Sequence, residues 1–218
     1  MFQLGYVIFI AVSFLVSITI YFQPDTRLYL RLFPFFLLLT LVVEIISYYL
    51  IVNAKSEGTV TVMYNFFSLF EYFFYMYVLR EIIQNKRAKK IVFYISGLYL
   101  LLVILNFLFI QKTGSFNSMT YALGCLLIGA ICIYYFYELF QSAHSVSLVR
   151  QPSFWISSGL LFYYCCSFPI FGLISFLKEA PPVILNNFQV IILLLNVFLY
   201  SSFTIAFLCR IRVRKSMS

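Results

Sequence analysis

Residues 28–52 read LYLRLFPFFLLLTLVVEIISYYLIV, and residues 60–82, after a short polar break, read VTVMYNFFSLFEYFFYMYVLREI. At 1.5 Å per residue, a helix through either stretch crosses the roughly 30 Å of hydrocarbon in a bilayer. Each carries a carboxylate near its middle, Glu44 in the first and Glu71 in the second. An acid at that depth costs on the order of 2.5–3.5 kcal/mol on insertion scales, so it faces other helices or a cavity and marks a candidate site.

The same kind of run recurs along the whole chain. Apolar stretches at about 3–22, 28–52, 60–82, 91–111, 119–140, 154–177 and 183–209 predict an all-α integral membrane bundle of seven transmembrane helices in one domain, residues 1–218. The breaks carry turn chemistry: Gln23-Pro24-Asp25-Thr26, Lys55-Ser56-Glu57-Gly58, Thr113-Gly114-Ser115 and Ala180-Pro181-Pro182. The longest connection, about 141–153, holds His144, the only histidine. The first residues lack the positive n-region of a secretory signal, so the first run is expected to be a retained span.

Composition points the same way. Of 218 residues, 63% are hydrophobic and 10% charged, where a soluble domain carries roughly 25% charged. The 27 Phe and 18 Tyr suit lipid-facing and interfacial positions. The net charge of +8 is read as orientation rather than nucleic-acid binding. Arg27, Arg31, Arg80, Lys86, Arg87, Lys89, Lys90, Arg150, Arg210, Arg212, Arg214 and Lys215 fall on one side of the predicted spans, and Lys55, Lys112 and Lys178 on the other. The positive-inside bias then places the N-terminus outside and the C-terminus in the cytoplasm, in the cell membrane. The clusters at 86–90 and 210–215 are expected on anionic headgroups, or against a cytoplasmic signalling partner.

Polar residues inside the spans fall in stripes. In the third span Thr61, Tyr64, Asn65, Ser68, Glu71, Tyr72 and Tyr75 share one face at 100° per residue, with Phe66, Phe70, Phe73 and Phe74 opposite. That span is expected at the centre of the bundle. Thinner stripes occur in the first span (Tyr6, Ser13, Ser17, Tyr21), the second (Thr40, Glu44, Ser47, Tyr48), the fourth (Ser96, Tyr99, Asn106) and the seventh (Asn186, Gln189, Asn196, Tyr200, Thr204). The sixth presents small residues, Ser158, Gly159, Cys165, Cys166 and Gly172, that permit close helix approach, and Pro169 removes one backbone hydrogen bond from it. Segments beginning Arg31-Leu-Phe-Pro34-Phe35 and Arg150-Gln-Pro152-Ser-Phe154 hint at a parallel duplication of three spans about a central one.

Glu44 lies about nine residues and Glu71 about eleven from the outer ends of consecutive antiparallel spans, depths that agree to ~3 Å. With no Lys or Arg at that level, the pair is left to share a proton, relay protons, bind a cation or cationic ligand, or bond to tyrosines. The predicted ligand- or proton-binding set is Glu44, Glu71, Tyr48, Tyr64, Asn65, Ser68, Tyr75, Asn196 and Tyr200, in a polar cavity between the second, third and seventh spans. Glu138, near the cytoplasmic end of the fifth span, is expected to meet water or a loop cation.

Several chemistries are disfavoured, and no enzyme activity is expected. The seventh span has no lysine for a retinal Schiff base. A zinc site needs converging His, Asp or Cys ligands, and the only aspartate, Asp25, and His144 both lie in loops. Ser142 and Ser145 beside His144 read as loop polarity. All five cysteines lie within spans and read as reduced packing residues. No cofactor or metal is called for. In span count and orientation the chain resembles seven-helix receptors and small seven-span sugar carriers, a likeness of topology alone, and no output domain is expected after Ser218. Three functions remain open: a sensor or receptor-like module for a small cationic or protonated ligand, a small-solute or proton-coupled carrier using Glu44 and Glu71, and an accessory subunit with no site.

Overall fold

A computed structural model describes residues 5–23, 26–54, 56–109, 116–141, 148–177 and 182–215, with the backbone alone for 173–177, 182–186 and 211–215. The turns at 24–25, 55, 113–115 and 180–181 and the loop holding His144 lie outside the described residues. Seven helices follow in chain order: α1 (Gly5–Ile18, continued by a 3-10 turn to Phe22), α2 (Leu28–Tyr49, continued by a π turn to Ala54), α3 (Glu57–Ile82), α4 (Lys86–Phe109), α5 (Ser118–Gln141), α6 (Pro152–Leu177) and α7 (Pro182–Lys215). No strand occurs among the described residues.

The local sequence explains where the helices begin and end. Pro152 and Pro182 occupy first helical positions, where the missing N–H costs nothing. Glu57 in the first turn of α3 and Arg80 in its last both complement the helix dipole. Pro34 and Pro169 sit inside α2 and α6. The suggested repeat therefore pairs an interior proline, Pro34, with a helix-starting one, Pro152, and the two segments are not structurally equivalent.

Six of the helices, all but α3, are long and apolar enough to cross a membrane. The chain is accordingly an all-helical bundle of multi-pass membrane character. The 26 residues of α3 could reach across as well, but its polar stripe and charged ends lower its hydropathy. The bundle shields that stripe: Asn65, Tyr72 and Tyr75 are buried, while Phe66 and Phe70 on the other side are exposed.

Packing forms a closed ring. α1 lies against α2 and α7, α7 against α6, α6 against α5, α5 against α3 and α3 against α2; α4 packs on α3 and α5. The backbone of α3 is thus a member of the ring, whereas the sequence placed it at the centre. Its side chains do reach across the interior: the Tyr75 ring meets Tyr164 of α6 at 5.9 Å and Phe203 of α7 at 6.1 Å.

Around Tyr75 the interior is filled by rings. Phe33 packs edge-on against Phe74 (5.1 Å), Phe203 (5.3 Å) and Phe207 (5.6 Å), and Phe36 stacks on Phe74 at 4.1 Å. Phe33, Phe203 and Phe207 have no exposed surface at all. This dry layer lies between the two ends of the bundle. Close backbone approach supports it at one point: a Cβ added to Gly159 of α6 would come within 2.9 Å of the Ser202 Cβ on α7.

Candidate functional site

Thr40 and Glu44 of α2 stand one helical turn apart, as do Thr61 and Tyr64, and Ser68 and Glu71, of α3, so each pair shares a face. These faces, together with Asn196 and Tyr200 of α7, line one cavity of about 300 Å³. Helices outside the predicted set complete it: Tyr6 comes from α1, Tyr121 from α5, Tyr163 and Phe171 from α6, and Phe116 from the segment before α5.

The two carboxylates are held in different ways. The hydroxyls of Tyr6 and Tyr64 both donate to Glu44 Oε2, at 2.5 and 3.0 Å. Tyr75 and Tyr164 lie close enough to influence the Glu71 carboxyl. Tyr75 has no exposed surface, yet its hydroxyl has no hydrogen-bond partner among the described residues. Tyr121, Tyr163 and Tyr200 also lie within electrostatic reach of Glu71. Neither carboxylate has a Lys or Arg among the groups that act on it. The result is an acid facing a cavity, fenced by phenolic hydroxyls and, among the described residues, without a counter-ion.

The structure brings six of the nine sequence-predicted residues to this cavity: Glu44, Glu71, Tyr64, Ser68, Asn196 and Tyr200. The other three stand elsewhere. Tyr48 points outward, 44% exposed, into a neighbouring groove. Asn65 is buried and its Oδ1 accepts the Asn117 backbone N–H at 3.0 Å, a tie between α3 and the start of α5. Tyr75 is packed just behind the wall. Sequence reasoning missed Tyr121, Tyr163, Phe171 and the Tyr6–Glu44 bond. Tyr6 stood in a recognised stripe, but nothing local announces a contact 38 residues away.

Two further hollows flank this one. A groove of about 340 Å³, lined from α1, α2, α3 and α7, adjoins the cavity at Glu44. At the opposite end of the bundle a cleft, also about 340 Å³, is lined by Arg27, Tyr135, Glu138, Ser153 and Arg210. Glu138 accepts the backbone N–H groups of Gln84 (2.9 Å) and Asn85 (2.7 Å), so it fastens the α3–α4 turn. Among the described residues no group of three His, Cys, Asp or Glu could hold a metal ion, and the five cysteines are free. No known family, curated protein or solved structure matches the chain, so the functional reading rests on this cavity's own chemistry.

Proposed function

We propose that this is a seven-span membrane protein that binds a small protonated or cationic solute in the cavity among α1, α2, α3, α6 and α7, acting as a sensor or receptor-like module. The N-terminus lies outside and the C-terminus in the cytoplasm, as the distribution of Lys and Arg requires. The observation that supports this most is the pairing of Glu44 and Glu71 on one cavity with no cation beside either among the described residues. An ammonium group placed there supplies the positive charge that neither carboxylate has beside it among the described residues. The exposed Lys86, Arg87 and Lys90 at the start of α4 form the surface for a cytoplasmic partner, and Pro169 gives α6 a weakened turn about which to move.

The test is thermal stability in lipid nanodiscs with ethylamine as probe. A ligand that binds only the folded state raises stability by RT ln(1 + [L]/Kd). Ethylamine should stabilise the wild type and not Glu71→Gln. Equal behaviour of the two proteins overturns the proposal.

A second reading, a carrier, is favoured by the hollows at both ends of the bundle with the aromatic layer between them. In that case Glu71→Gln abolishes flux in proteoliposomes while the fold survives, and unchanged flux removes the carrier. An accessory subunit predicts that Glu44→Gln and Glu71→Gln alter stability alone.

A further inference from the structure

The outer groove and the inner cavity are not separate features. Tyr6, Glu44, Tyr64 and Ile192 belong to the walls of both. Two hydroxyl–carboxylate bonds fasten the wall that the two hollows share. The outer chamber is largely apolar, with walls from Val7, Ile45, Ile51 and Leu193. Ile45 and Ile51 are 55% and 38% exposed. They sit on a helix long and apolar enough to cross a membrane, so the open side of the groove meets lipid chains.

From this we infer that the ligand is a single-chain cationic amphiphile, with its ammonium head beside Glu44 and Glu71 and its aliphatic tail in the groove. The inference rests on the inner cavity being a ligand site. Charge complementarity selects the occupant. A wholly polar solute leaves the groove unfilled, and a wholly apolar one leaves the carboxylates without a counter-charge. Admission needs no bond broken: Tyr6 and Tyr64 both donate to Glu44 Oε2, so an ammonium can donate to Oε1 without displacing either hydroxyl. The two chambers together fall within the ~300–1,000 Å³ of ordinary ligand sites.

The test uses the whole protein in phosphatidylcholine nanodiscs, with dodecylamine bearing a photoreactive diazirine at its tail end. Cross-links are expected on residues 45–51 and 189–193, falling about tenfold in Glu71→Gln. Leu193→Trp fills the groove from outside the inner cavity. It should remove the labelling and leave the ethylamine stabilisation intact. Ile51→Trp, on an exposed face where folding is not at risk, should do the same. Three results overturn the inference. Labelling scattered over lipid-facing positions such as Leu101 and Leu108, with ethylamine still stabilising the wild type, removes the amphiphile and spares the inner site. Equal groove labelling by the dodecanoic acid analogue shows a lipid chain rather than a cationic ligand. If neither amine distinguishes the wild type from Glu71→Gln, the inner site fails and the inference fails with it.

Discussion

Glu44 and Glu71 share a cavity, but their neighbours treat them differently, and the difference can be measured. Glu44 is held by Tyr6 and Tyr64. Removing both hydroxyls with Tyr6→Phe and Tyr64→Phe leaves a carboxyl without donors at mid-span. Hydrogen bonds of this kind contribute about 0.6–1.7 kcal/mol each in membranes, so the double variant should lose about 1–3 kcal/mol in reversible unfolding. A loss under about 0.5 kcal/mol would mean that water already satisfies Glu44. Glu71→Gln preserves the shape of the side chain beside Tyr75 and Tyr164 and should show its effect in binding. At this scale the sequence was informative about residue type and poor about partners. An acid within an apolar run announces itself, whereas the tyrosine that bonds it sits on another helix.

Between elements the decisive contacts are small ones. α6 and α7 touch where Gly159 meets Ser202, so Gly159→Ala forces a Cβ against a Cβ. Overpacking of this kind costs about 1–3 kcal/mol. The added variant Ser202→Gly should recover most of that loss, and failure to recover it would place the strain elsewhere. Asn65 joins α3 to α5 through the Asn117 N–H, so Asn65→Ala leaves a buried donor unpaired and should cost about 1–3 kcal/mol in the same assay. The stripe in α3 was legible because 100° per residue puts Tyr64, Asn65, Ser68 and Glu71 on one side. The different uses of those residues were not legible. Asn65 and Ser68 share that face, but only the structure shows that one ties helices together and the other lines a cavity.

For the whole molecule, the helix boundaries and multi-pass character could be read from apolar run length and turn chemistry. The arrangement of the ring, with α4 packed on α3 and α5, could not, because adjacency depends on shape rather than hydropathy. Orientation is testable directly. Neutralising Lys86, Arg87, Lys89 and Lys90 together should produce a mixed population in which a C-terminal tag becomes accessible from outside. A population that stays uniform removes those residues as the determinant. The ring-packed layer of Phe33, Phe36, Phe74 and Phe203 has an electrical consequence. Along α3, Glu71 and Ile82 mark the inner cavity and the opposite cleft, a span of about 16 Å at 1.5 Å per residue. Where water fills the hollows on either side, the membrane voltage falls across that short insulating plug rather than across the full ~30 Å. The field there is roughly doubled, and a unit charge moved through it exchanges about 2.3 kcal/mol per 100 mV.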